Sequence, residues 1–142
     1  MTSSLAKNSD DLFIVARVES FILGKSLKDA MRRAEAYSRA GADAILIHSK
    51  EKNAKQIFSF SRNFLKSKFV KPLIAVPSTY SKIYERELIK NGFKIVIYAN
   101  HFLRAIHPAM VDIATIILKN ERSFEAEKKM SSINKVLSII KQ

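Results

Sequence analysis

The chain has 142 residues, 47% of them hydrophobic, which suits one domain with a buried core. It contains no cysteine, which excludes disulfides and thiolate metal sites and fits a reducing cytoplasm, the expected compartment. Twenty-five basic against 13 acidic residues give a formal net charge of +12, but the lysines are scattered with no zinc-finger, RRM or phosphate-loop pattern, so they are read as solvated faces, and nucleic acid is not the expected partner.

Residues 1–10 read as a linker or disordered start, without the apolar segment of a secretory signal. The first strand, Phe13-Ile14-Val15-Ala16-Arg17-Val18-Glu19, sets an ionic pair in an apolar run, two residues apart and therefore on one side. Charge there is expensive unless it has a partner or a ligand. Gly24 then allows a turn, and Ser26 can cap a helix whose apolar positions Leu27, Ala30, Met31, Ala34 and Tyr37 follow a 3.6-residue period. Gly41 ends it in the usual place for a left-handed cap.

The second strand, 44–47, runs into His48-Ser49-Lys50, so polar chemistry again sits where a strand ends. A helix with Ile57, Phe60, Phe64 and Leu65 on one side follows, and Pro72 leads into a third strand, 73–76. After the loop Pro77-Ser78-Thr79-Tyr80, a short helix with Ile83, Tyr84 and Leu88 is closed by Gly92 before a fourth strand, 93–98. The fourth loop begins at Ala99-Asn100-His101. Residues 103–118 are again helical in pattern, with Pro108 expected to break the helix or start a new one. No apolar run approaches the roughly 20 residues of a membrane helix, and no membrane association is expected.

Residues 120–123 form a hinge candidate. Residues 124–142 read as a separate amphipathic helix with Met130, Ile133, Leu137 and Ile140 along one stripe, whose apolar side needs a surface on this chain or a neighbouring one.

Short apolar strands alternating with helices imply an α/β fold with a parallel sheet. Four units could close as a small open sheet or form half of an eight-unit barrel. Arg17 and Glu19 favour the barrel, because a doubly wound sheet would bury both charges under a helix, whereas a barrel turns that side to its solvent-linked interior. The strand-end residues lie where α/β folds bind ligands.

Several of these runs occur together in one order: Ile14-Val15-Ala16-Arg17-Val18-Glu19-Ser20-Phe21, Ala30-Met31-Arg32-Arg33-Ala34-Glu35-Ala36-Tyr37, Ala40-Gly41-Ala42-Asp43-Ala44-Ile45, Ile47-His48-Ser49-Lys50, Val76-Pro77-Ser78 and Tyr98-Ala99-Asn100-His101-Phe102-Leu103-Arg104-Ala105. From about residue 10 onward the chain closely resembles the phosphoenolpyruvate mutase branch of the phosphoenolpyruvate mutase and isocitrate lyase superfamily.

The resemblance implies a (β/α)₈ barrel of which residues 11–120 are the C-terminal half, strands five to eight, with 121–142 as an extra C-terminal helix and possible subunit contact. It implies a small phosphonate or 2-oxo acid substrate at the C-terminal mouth and interconversion of phosphoenolpyruvate and phosphonopyruvate. Phosphonopyruvate hydrolysis, a related 2-oxo acid lyase, and a non-catalytic half-barrel remnant are the alternatives. Arg17 matches the family arginine that binds the substrate's anionic end, and His48 the histidine near the transferring phosphoryl group. A guanidinium fork suits an oxyanion, and imidazole can donate to a phosphoryl oxygen as charge builds.

Ser49 and Asn100 are weaker candidates, since polar residues at loop starts commonly cap the next helix. Glu19, His101 and His107 are read as structural. Mg²⁺ is implied by the family, but its aspartates belong to the first half of the barrel, and no metal ligands are expected on this chain. Lys7-Asn8-Ser9 resembles the family's lid motif but stands too close to Arg17, so it is read as linker. The expected partners are a missing N-terminal half-barrel or further copies of the chain, and by itself the chain is expected to be inactive.

Overall fold

A computed structural model describes residues 12–139. The linker reading of 1–10, Lys7-Asn8-Ser9 and Ile140 lie outside the described residues. The chain divides into two compact units, Met1–Ala99 and Asn100–Gln142. This division groups the fourth helix with the C-terminal segment.

The first unit contains four strands, β1 (Val15–Val18), β2 (Ala44–Ile47), β3 (Leu73–Ala75) and β4 (Phe93–Val96), with helices α1 (Leu27–Arg39), α2 (Lys55–Phe64) and α3 (Glu85–Lys90) between them. All pairings are parallel and the sheet order is β1-β2-β3-β4. Each crossover therefore steps the same way, and right-handed crossovers that never reverse place their helices on one face of the sheet.

That face carries the core. Val18, Ile45, Ile47, Leu73, Ala75 and Phe93 point to it and join Ala30 and Ala34 of α1, Ile57, Phe60 and Phe64 of α2 and Leu88 of α3. Phe60 and Phe64 stack with centroids 5.4 Å apart. Each such side chain contributes about 1.5–3 kcal/mol by leaving water. Strand alternation puts Val15, Arg17, Leu46, Ile74 and Ile95 on the opposite face, where Val15 and Ile95 are each 39% exposed.

Local signals behave as the pattern predicts in α1. The Ser26 side chain accepts from the Asp29 N–H at 3.2 Å, and Gly41 takes a φ of +104° after the last turn. Asp43 fixes the start of the sheet, its Oδ2 accepting from the Ile14 N–H at 2.8 Å. Leu65 differs from expectation: it caps the C-terminus of α2 and is 44% exposed. Ile83 and Tyr84 precede α3, and Tyr84 is its N-cap. The register shifts between Leu73 and Ile74, so Leu73 faces Phe93 while Ile74 faces Ile95. Lys94 is thus a bulge residue between two strand partners.

In the second unit, α4 (His101–Asn120) continues through Pro108, correcting the expected break. Proline removes one hydrogen bond, to the Arg104 carbonyl; both residues are exposed, so water can satisfy the orphaned acceptor. At 20 residues, with a mean hydropathy of 1.3 over its most apolar 18, α4 is long and apolar enough to cross a bilayer by length and composition. The sequence reading missed this because isolated polar residues such as His107 and Asp112 interrupt every apolar run without lowering the average far.

Among the described residues, the expected single helix over 121–142 is instead two pieces. After Glu121 in the left-handed region (φ +54°), a 3₁₀ helix spans Phe124–Lys129, Met130 is extended, and α5 covers Ile133–Ile139. Met130, Ile133 and Leu137 therefore do not share one helical stripe. Ala126 is buried in this unit, and Lys129 Nζ meets Asp112 Oδ2 at 2.6 Å, tying the 3₁₀ helix to α4.

Gly92 joins α3 to β4 at φ +86°, and a Cβ there would meet Leu65 Cδ1 at 2.4 Å. Gly92→Ala is expected to lower unfolding stability by about 1–2 kcal/mol, read in a urea titration, chiefly from the backbone conformation because the Leu65 tip can move.

Candidate functional site

Parallel register brings the ends of β1 and β2 together. Arg17 is the cross-strand partner of Leu46, Val18 of Ile47, and the His48 N–H continues the ladder to the Val18 carbonyl at 3.3 Å. The residues just past each strand, Glu19 and His48, thus meet at the carboxyl edge of the sheet. Arg17 reaches the same point because strand alternation turns it away from the helices.

The three side chains form one cluster. Arg17 Nε donates to Glu19 Oε1, Arg17 Nη2 lies 2.8 Å from His48 Nδ1, and Glu19 Oε1 lies 3.5 Å from the same His48 nitrogen. The side chains of Arg17, Glu19 and His48 are 55%, 34% and 21% exposed. Such exposure makes the ion pair a weak source of stability, since exposed pairs contribute only about 0–1 kcal/mol. It also leaves the guanidinium open to a ligand. Arg17 and His48 are therefore brought together, and Glu19, read as structural from sequence, is their shared neighbour.

Ser49 is adjacent in sequence but directed elsewhere. Fully buried, it donates through Oγ to Gln56 Oε1 at 2.7 Å and accepts from the Glu51 N–H at 3.1 Å, while its carbonyl accepts from Thr79 Oγ1 at 2.9 Å. This ties the loops after β2 and β3 together. Asn100 belongs to the second unit, at the N-cap position of α4, where its side chain makes no capping bond. His101 is the first residue of α4, and His107 lies exposed on it.

A second network braces the loop after Glu19. Ser20, 1% exposed, donates to Asp29 Oδ2 at 2.8 Å, and Asp29 also accepts from Arg32 Nη2 and Arg33 Nε, each at 2.8 Å. The Arg32 and Arg33 guanidinia, with the Ser20 hydroxyl, hold the Asp29 carboxyl well below the usual carboxylate range. Sequence reasoning missed this brace, although an acid in the first turn followed by arginines three and four residues on was readable as a helix-surface pair. In the loop after β3, burial pushes the Tyr80 phenol up to about 12. A cavity of about 390 Å³ is lined by Ile83, Tyr84, Glu85, Arg86 and Tyr98, and the Tyr98 hydroxyl donates to Glu85 at 2.6 Å.

The residues present do not fit a magnesium ion. Among the described residues no three His, Asp or Glu side chains converge as ligands, and Glu19, the carboxylate at the cluster, already faces a guanidinium.

Because the Asp29 carboxyl is depressed on folding, its contribution is complete above the unfolded carboxylate value of about 4 and is lost as pH falls below it. Unfolding titrations across that acid range are expected to show a decline in stability that is reduced in Asp29→Asn.

A family model described as phosphoenolpyruvate phosphomutase matches residues 2–118. The phosphoenolpyruvate phosphomutase of Tetrahymena pyriformis is 40% identical over 129 residues, 91% of this chain and 42% of that protein. The crystal structure of the phosphoenolpyruvate phosphomutase from Streptomyces platensis subsp. rosaceus superposes with a TM-score of 0.81 at 37% identity, covering 94% of this chain and 45% of that one. A phosphonopyruvate hydrolase solved with oxalate and Mg²⁺ gives 0.80 at 33% identity, covering 94% and 46%. The chain thus spans less than half the length of these relatives. Because that family model matches residues 2–118, most of the sequence, the chain belongs to the phosphoenolpyruvate phosphomutase family.

Proposed function

We propose that the chain is the half of a (β/α)₈ barrel carrying strands five to eight, and that it supplies Arg17 and His48 to a site for a small oxyacid completed by four further β/α units. The observation that carries this reading is the Arg17–His48 contact at the carboxyl edge of a parallel sheet that winds in one direction. Further support comes from coverage of 42–47% of the relatives. β1 and β4 are the outer strands of a four-stranded sheet, and four more parallel strands between them would close it.

The activity proposed for the completed barrel is interconversion of phosphoenolpyruvate and phosphonopyruvate. Arg17 has the fork to grip a carboxylate or phosphonate and stays charged at neutral pH. His48 can donate a proton-bearing nitrogen to an oxygen on which charge develops. Mg²⁺, present in the solved hydrolase, would be held by the other half, where it would neutralise oxyanion charge. Similarity to phosphonopyruvate hydrolase, 32% over 138 residues, favours hydrolysis as the second reading.

Purified chain with Mg²⁺ and phosphonopyruvate is expected to show no turnover, whereas mixing it with the N-terminal half of the Tetrahymena relative restores it. Phosphoenolpyruvate as product indicates the mutase, pyruvate with phosphate the hydrolase. Arg17→Met or His48→Gln in the mixture is expected to cost about 10²–10³ in rate. Turnover by the chain alone overturns the half-barrel proposal, and a formed but inert complex indicates a non-catalytic assembly piece.

The segment 121–142 is proposed as a subunit contact, since Ile133, Val136, Leu137 and Ile139 are 48–76% exposed. Removing it is expected to lower the assembly's mass in light-scattering chromatography by more than the deleted residues account for.

A further inference from the structure

The contact between Arg17 and His48 is chemically one-sided. A guanidinium has only N–H donors and no acceptor. With Arg17 Nη2 at 2.8 Å from His48 Nδ1, the imidazole nitrogen must accept. A neutral imidazole whose Nδ1 accepts carries its proton on Nε2.

Glu19 governs the other end of the guanidinium. A side chain as exposed as Arg17, at 55%, has many rotamers open to it, and fixing one costs conformational entropy. Two residues along an extended backbone, Glu19 shares its side of the chain, and its Oε1 takes the Arg17 Nε hydrogen bond. With Nε held there, Nη2 is aimed at His48. Glu19 Oε1 is 3.5 Å from His48 Nδ1, too long for a good hydrogen bond, so this carboxylate does not displace the guanidinium as the imidazole's partner.

We propose that Glu19 is a positioning residue: by clamping Arg17 through Nε it makes the guanidinium lock His48 as the Nε2–H tautomer. His48 Nε2–H and the unused guanidinium N–H bonds then form a matched donor set, preassembled before any ligand arrives. Use of that set for a small oxyacid rests on the function proposed above, whereas the tautomer and the clamp do not.

The test is ring-nitrogen NMR of the full chain labelled with ¹⁵N-histidine, at about pH 9, above the usual imidazole value of about 6.5. His48→Gln identifies the signals of His48 among the three histidines. The wild-type ring is expected to favour Nε2–H about tenfold more strongly than free histidine in the same buffer, as a hydrogen bond from a charged donor requires. Glu19→Ala is expected to return the ratio to that of free histidine, and Glu19→Gln, which keeps an acceptor at the same reach, to preserve the skew. A wild-type His48 carrying its proton on Nδ1 overturns the proposal, as does an unchanged ratio in a folded Glu19→Ala chain. If circular dichroism shows that Glu19→Ala does not fold, Arg17→Met supplies the same readout, and retention of the skew there is equally fatal. Skew without turnover in the reconstituted mixture sinks the functional reading alone; turnover without skew sinks this inference alone.

Discussion

The parallel pairing of β1 with β2 is the constraint on which the rest of the site depends. Because Arg17 stands opposite Leu46 and Val18 opposite Ile47, the first residue beyond β2 falls beside the end of β1. A slip of one residue would turn Arg17 toward the helices and bury a guanidinium among Ile45, Ala30 and Ala34. The apolar pattern of the strands is thus what holds a charged cluster at the sheet edge, although none of the cluster's own contacts stabilises the fold appreciably.

Around that pairing the loops are braced by hydrogen bonds among polar side chains. Ser20 is tied to Asp29, Asp29 to two arginines of α1, Ser49 to Gln56, and Thr79 to the Ser49 carbonyl. Arg17 keeps guanidinium N–H groups beyond its contacts with Glu19 and His48, at the open edge of the sheet. A site needs both kinds: groups committed to holding backbone in place, and groups held in place but not saturated.

The sheet itself is two-faced. One side is filled by α1, α2 and α3, while the other carries Val15, Arg17, Leu46, Ile74 and Ile95, of which Ile74 is buried and Val15 and Ile95 are partly exposed. A sheet wound in one direction has this asymmetry whenever its crossovers keep one hand, and it explains how apolar residues and a cation come to share a face. In the second unit, α4 has no buried residue although Ile106, Met110, Ile113 and Ile117 line one side of it.

Much of this was readable in the amino-acid order because it is decided within about four residues along the chain. The cap at Ser26, the stop at Gly41, the buried stripe of α2 through Ile57, Phe60 and Phe64, and the polar residues at strand ends follow from capping, backbone freedom and hydrophobic period. The same local rules misjudged Pro108, whose lost hydrogen bond is affordable on an exposed turn, and the segment after residue 123, where periodicity ran on past an extended Met130. What only the tertiary structure decided is which residues meet across strands: that Glu19 joins Arg17 and His48, that Thr79 reaches the Ser49 carbonyl, and that the β3–β4 register shifts at Lys94. Those outcomes depend on register between segments about twenty to thirty residues apart, and a linear pattern does not encode the distance between two strands until they are paired.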